Sequence, residues 1–289
     1  MTIATIDIGG TGIKFASLTP DGKILDTAST ATPETLEELL AWLDQRLSER
    51  DYRGIAMSVP GAVHQETGVI EGISAIPYIH GFSWYEALAH HKLPIHLEND
   101  ANCVGLSELL AHPEIENAAC VVIGTGIGGA MIINGKLHRG RHGLGGEFGY
   151  MTTIEPAERL NNWSQLASTG NMVRYVIEKS GQTDWDGRKV YQEAAAGNAL
   201  CQEAIERMNR NLAQGLLNIQ YLIDPDVISL GGSISQNPDF IKGVQKAVDA
   251  FVERYEEYTI APVIQACTYQ ADANLYGALV NWLQEENQW

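Results

Sequence analysis

The sequence predicts an α/β protein built as two related halves. Apolar, β-branched runs stop repeatedly at glycine turns, and leucines recur at helical spacing between those runs. One strand, turn, strand and hairpin plan also occurs twice, with Gly10-Thr11-Gly12 returning as Gly124-Thr125-Gly126 and Asp21-Gly22-Lys23 as Asn134-Gly135-Lys136. The 289-residue length agrees with two domains of roughly 150 residues.

Residues 2–8 are rich in β-branched side chains and end at Gly9-Gly10, while 13–18 run into Pro20-Asp21-Gly22, which is strong turn chemistry. Together they read as a β-meander over residues 2–28. Pro33 and Glu34 open a helix on which Leu36, Leu39, Leu40, Leu43 and Leu47 share a face. Residues 54–59 read as a buried strand ending at Pro60-Gly61. Residues 95–98 form another, closed by Asn99-Asp100 where Leu106, Leu109 and Leu110 announce a helix. The polar break His112-Pro113-Glu114 precedes the strand 118–123, which places a first domain at 1–117 and a second at 118–274. Beyond residue 160 the pattern is helical, apart from a strand at 227–230 leading into Gly231-Gly232-Ser233. A final helix over 275–289 returns to the first domain.

Composition narrows the function. The chain is 45% hydrophobic and 19% charged, as folded globular proteins are. Its net charge of −17 repels phosphate backbones and anionic bilayers, so neither nucleic acid nor membrane is an expected partner. Cys103, Cys120, Cys201 and Cys267 stand far apart with no C-x-x-C pair, which argues against both a disulfide framework and structural zinc. No basic leader precedes the first apolar run, and no apolar stretch reaches ~18 residues, so a cytoplasmic location is expected.

Three glycine clusters, at 9–12, 124–129 and 231–232, each follow an apolar strand and offer backbone amides that can approach phosphate oxygens closely. Gly124, Gly126 and Gly129 also match G-x-G-x-x-G. The dinucleotide fingerprint needs a helix next, however, and here the hairpin signal Asn134-Gly135 follows. A P-loop string is absent. Asp7, inside an apolar strand, either serves magnesium-bound phosphates through water or hydrogen-bonds its own turn. Lys14 reaches phosphate or sits on a solvated edge. Asp100 is an N-cap or the carboxylate that deprotonates an incoming hydroxyl. Glu147, in Gly145-Gly146-Glu147-Phe148-Gly149-Tyr150, accepts hydrogen bonds from vicinal hydroxyls or is a solvated loop acid.

In this order Asp7-Ile8-Gly9-Gly10-Thr11 with Lys14, Ser58-Val59-Pro60-Gly61, residues 98–102, 124–129, 143–150 and Gly231-Gly232 resemble the ROK family of sugar kinases. The resemblance implies a two-domain actin/hexokinase-like (ribonuclease H-like) duplication with an active-site cleft between the domains. It implies ATP phosphates on Gly9, Gly10, Thr11 and Lys14 and on Gly124, Thr125 and Gly126, with adenosine beside Gly231 and Gly232 and Mg2+ near Asp7. Sugar contacts fall on Gly61, Asn99, Asp100, Glu147 and Tyr150, with Asp100 as base. A homodimer is also suggested.

Departures from the family pattern sharpen the expectation. The usual histidine is Tyr150, and residues 161–168 hold no cysteine of the family's zinc cluster, so no zinc is expected. A sugar-contacting glutamate falls on Ser164, and a loop asparagine is replaced by Tyr78. These features are similar to zinc-free members typified by bacterial β-glucoside kinases. Glucose, mannose, N-acetylmannosamine or a β-glucoside is the expected acceptor. Two alternatives stand beside the kinase: a sugar-responsive transcriptional regulator of the same family, and a noncatalytic sugar binder or actin-like ATPase. The regulators carry a DNA-binding helix-turn-helix before the body, whereas this chain enters its first strand at Thr2, so the kinase is expected.

Overall fold

In the computed structural model the N-terminal apolar run forms β1 (Ile3–Ile8), antiparallel to β2 (Gly12–Leu18), which pairs antiparallel with β3 (Ile24–Ala31). The meander therefore continues beyond residue 28. Residues 2–154, 160–255 and 257–289 are described. After the meander, α1 (Leu36–Leu47) begins under the cap of Thr35, whose hydroxyl accepts from Glu38 N at 3.3 Å, and buries Leu39, Leu43 and Leu47. The chain continues through β4 (Gly54–Val59), the hairpin β5 (Ala62–His64) and β6 (Val69–Glu71), the short α2 (Trp84–Ala87), β7 (Ile95–Asn99) and α3 (Asp100–Ala111). One sheet results, ordered β3-β2-β1-β4-β7, with β1, β4 and β7 parallel.

The second half repeats this plan. An antiparallel meander of β8 (Ala118–Ile123), β9 (Ile127–Ile133) and β10 (Lys136–Leu137) is followed by the hairpin β11 (Thr152–Ile154) and β12 (Leu160–Asn162) and by four helices. These are α4 (Trp163–Ala167), α5 (Thr169–Ser180), α6 (Gly187–Ala195) and α7 (Ala199–Ile223). Then come β13 (Val227–Gly231), α8 (Pro238–Arg254) and β14 (Ile264–Ala266), and the sheet order is β10-β9-β8-β13-β14 with β8, β13 and β14 parallel. The repeated glycine strings thus mark two sheets of one topology. A last helix, α9 (Ala273–Glu285), ends the chain.

By contacts the chain divides into one unit of Met1–Glu114, Arg139–Gly145 and Asp272–Trp289, and another of Ile115–His138 and Gly146–Ala271. The first sheet is covered on both faces. Ala4, Ile6, Ile8, Phe15 and Met57 face the core completed by Leu39 and Leu43 of α1, whereas Ile3, Leu18 and Ala56 face Cys103 of α3 and Leu275, Leu279 and Trp282 of α9. Strand side chains alternate, so Asp7 shares the Ile3 face and is directed toward the α3 and α9 layer. The second unit packs Trp163, Leu212, Leu216, Ile228 and Phe240 into its own core. Among the described residues no helix is long and apolar enough to cross a membrane.

Candidate active site

Ligand sites of parallel sheets lie beyond the carboxyl ends of the strands, and the first unit gathers its polar residues there. Asp7 stands opposite Lys14 on β2 and Ser58 on β4. Its Oδ1 accepts from Ser58 Oγ at 3.3 Å and from Asn274 Nδ2, at the start of α9, at 2.9 Å. Lys14 Nζ lies 3.7 Å from Asp272, so the strand-edge lysine faces the same corner. The turn after β1 exposes Gly10 and Thr11 while Gly9 N bonds Gly12 O at 3.1 Å and Thr32 Oγ1 donates to Gly9 O at 2.6 Å.

Asn99, rather than Asp100, caps α3. Its Oδ1 accepts from Ala101 N at 2.9 Å and Asn102 N at 3.2 Å, while its Nδ2 donates to Gly61 O at 3.1 Å. The cap therefore welds the end of β7 to the turn after β4 and leaves Asp100 as the first helical residue, where its Oδ1 accepts the Ala101 amide at 2.8 Å. Burial, and next to it the charge of Asp7, push the Asp100 carboxyl above its ordinary range, with the Ala101 amide opposing. Burial raises Asp7 likewise, against the lowering effect of Asn274 and Lys14.

Sequence reasoning missed the support beneath this corner. Glu98 is 2% exposed, and its Oε1 accepts from Asn99 N at 2.8 Å and Asn102 Nδ2 at 2.9 Å. Its Oε2 takes Arg139 Nε at 2.6 Å, and Arg139 Nη2 also reaches Asn281 Oδ1 at 2.6 Å and Glu285 Oε1 at 3.0 Å. The segment Arg139–Gly145 belongs to the first unit, and Arg139 anchors it there. Nothing local to Arg139 announces it, because its partners lie 41 and more than 140 positions away.

The second unit shows the same strand-end logic. Gly124, Thr125 and Gly126 are exposed after β8, closed by Gly124 N to Gly126 O at 2.9 Å and tied to the start of α5 by Gly170 N to Gly124 O at 3.1 Å. A Cβ on Gly124 would meet nothing within 4 Å, and one on Gly126 only Ser164 at ordinary contact distance. The fold does not demand glycine there; a ligand lying against the backbone would. Gly232, after β13, is different: its φ is +89° and a Cβ would fall 2.1 Å from Ile123 O. Next to it, Ser233, Ile234, Gln236 and Asn237 with Thr169 and Tyr191 line a cavity of about 500 Å³. Thr169 Oγ1 and the Tyr191 hydroxyl are buried without a hydrogen-bond partner, as expected of groups awaiting a polar ligand.

The family model described as ROK family matches residues 3–285. The chain belongs to the ROK family. A β-glucoside kinase of Listeria monocytogenes is 35% identical to this ROK protein, over 100% of this chain and 99% of that one. A ROK family protein of Streptococcus pneumoniae TIGR4, solved in complex with sucrose, is 88% identical with a TM-score of 0.98, each chain covered completely. The ROK hexokinase of Thermus thermophilus is 25% identical, with a TM-score of 0.86 over 99% of this chain and all of that one. The fold is accordingly the two-domain actin/hexokinase-like duplication.

The family's variable positions have definite places in this ROK protein. Glu147 is half-buried ahead of a short 3-10 helix (Phe148–Tyr150), and Tyr150 is 72% exposed. Ser164 Oγ accepts from Ile127 N at 2.9 Å and donates to Ile127 O at 3.2 Å, so this residue buttresses the glycine turn. The Tyr78 hydroxyl donates to Pro33 O. For the metal that the family implies, Asp7 and the buried, unpartnered Oδ1 of Asn274 are the hard oxygen donors a magnesium ion prefers, and the pair fits it.

Proposed function

We propose that this ROK protein transfers the γ-phosphoryl group of ATP to a hydroxyl of a glucoside-type sugar, with Asp100 as general base. The observation that carries the reading is the carboxylate of Asp100, released from capping by Asn99 and set at the same strand ends as Asp7. As the sugar oxygen attacks phosphorus, Asp100 takes its proton and ADP leaves. Magnesium, held by Asp7 and Asn274 through water, would neutralise phosphate charge. The amides of Gly9, Gly10, Thr11 and of Gly124, Thr125 and Gly126 cradle the phosphates, with Lys14 beside them. Adenosine occupies the cavity beyond Gly231 and Gly232, whose size suits a nucleoside.

Gly61, Asn99, Glu147 and Tyr150 complete the sugar contacts. The resemblance to β-glucoside kinases and to a sucrose-bound protein supports an acceptor carrying a second group at its anomeric carbon. Tyr150 and Ser164, shorter in charge than the family's histidine and glutamate, favour the same acceptor because they leave the anomeric oxygen without an ionic partner. Residues 161–168 supply no cysteine, so the family's zinc cluster is not part of this reading.

Coupled ADP release over glucose, mannose, N-acetylmannosamine, sucrose and β-linked glucosides tests it. We expect kcat/KM for a glucoside at least tenfold above that for glucose. ATP turnover indifferent to every sugar would overturn the kinase reading, and a preference for free glucose would overturn the glucoside.

A further inference from the structure

We propose that Asp44, His90 and His91, none of them among the residues of the proposed phosphoryl transfer, form a binding site for one divalent transition-metal ion of the zinc class. Asp44 lies near the end of α1, and the two histidines belong to a 3-10 turn (Ala89–His91) that Lys92 terminates at φ +55°. Both imidazole Nε2 atoms converge on one carboxylate oxygen, His90 at 2.9 Å and His91 at 2.7 Å from Asp44 Oδ1. All three ligand atoms lie within 4.8 Å of one another, the one such group of histidine, cysteine and carboxylate atoms among the described residues.

Ligand atoms on a tetrahedral zinc ion with bonds of ~2.0 Å stand roughly 3.3 Å apart. The two oxygen–nitrogen separations, 2.9 and 2.7 Å, fall about 0.5 Å inside that value, and the two rings lie 4.1 Å apart between centroids with their planes tilted by 40°, so modest side-chain adjustment opens room for the ion. Two imidazoles and one carboxylate form a borderline set that selects zinc, nickel or copper over magnesium or calcium. Solvent reaches the site, since His90 is 56% and Asp44 44% exposed, while His91 is 16% exposed. Water would take the remaining coordination positions.

The framework is held in advance. Leu43, adjacent to Asp44, and Leu88, just before the turn, are both completely buried in the same core, so helix and turn cannot drift apart. On binding, the metal replaces both N–H···O contacts: each imidazole gives up its Nε2 proton, keeps or gains one at Nδ1, and the carboxylate oxygen binds the ion. The net charge of −17 favours cation capture. No cysteine takes part, which separates this site from the family's zinc cluster.

Equilibrium dialysis and calorimetry with Zn2+, on the EDTA-treated full chain, test the proposal. We expect one ion per wild-type chain, a melting temperature raised by about 3–6 °C at a hundredfold excess over Kd, and a visible Co2+ absorption band. The His90→Ala/His91→Ala double variant and Asp44→Asn should each weaken binding at least ~30-fold and lose the band, while His142→Ala behaves as wild type. Melting in EDTA verifies that each variant is folded. Equal affinity in wild type and the folded double variant, or no binding by wild type, would overturn the site. Kinase activity is not the readout, so failure here leaves the proposed reaction untouched.

Discussion

Replacing Arg139 by methionine should cost the enzyme about 3 kcal/mol of stability, through a carboxylate that the substitution never touches. In the native protein Glu98 Oε1 receives two hydrogen bonds, from Asn99 N and Asn102 Nδ2, but Oε2 relies on Arg139 Nε at 2.6 Å. The gross attraction at that distance is on the order of 6 kcal/mol with an effective dielectric of ~20, and desolvating both ions offsets much of it. Stranding a buried ion usually costs about 3–5 kcal/mol. Arg139 is 27% exposed, so water can approach from its side and the lower end of that range applies. Glu98→Gln should be milder, about 1–2 kcal/mol, because a neutral amide still accepts the two capping bonds and the arginine keeps Glu285 and Asn281. Adding Glu98→Gln to Arg139→Met should then recover part of the loss. Urea unfolding of the four proteins measures this cycle. A single-variant cost below ~1 kcal/mol, or strictly additive costs, would refute the account of the buried pair.

Asp100→Asn should lower kcat by about 10²- to 10⁴-fold while raising the melting temperature. Burial and Asp7 raise the folded-state pKa of Asp100 above 3.8, so the contribution of this group to stability is present below the unfolded pKa and lost as pH rises through the folded one. The neutral amide removes that loss, and thermal melts at neutral pH check it. For the same reason the acid limb of wild-type kcat/KM should have its midpoint above 3.8, read from a pH–rate profile. Gly124→Ala should leave the melting temperature within ~1 °C of wild type and raise the KM for ATP about tenfold or more, because its Cβ enters space open in the fold and closed by phosphate. Gly232→Ala should instead destabilise by about 1–3 kcal/mol in denaturant, since it meets both a positive φ and the Ile123 carbonyl.

Much of the candidate site was legible because the chemistry proposed for it rests on local strings. A glycine run after a β-branched strand must turn, and the end of a strand in a parallel sheet is where ligands are met. Asp7, Gly9 to Thr11, Gly61, Asn99 and Asp100 could therefore be picked out one string at a time. The division of labour between Asn99 and Asp100 could not. Either side chain can cap a helix from that sequence, and the choice fell to Asn99 because Gly61 O offers its amide a partner. Ser164 and Tyr78 stand where family members carry sugar-contacting residues, and only the structure shows that their hydroxyls are bonded to the Ile127 and Pro33 backbone.

By itself the amino-acid sequence determined the duplicated strand plan, the positions of the glycine turns and which acids stand at strand ends as candidates for the chemistry, since hydrophobic period and turn preference act over a few neighbours. Tertiary structure alone decided that Asn274 meets Asp7 from 267 positions away, that Arg139 neutralises Glu98, and that two adjacent histidines close on Asp44. Such pairings depend on which faces the packed layers bring together, and burial then sets how strongly each charge is felt.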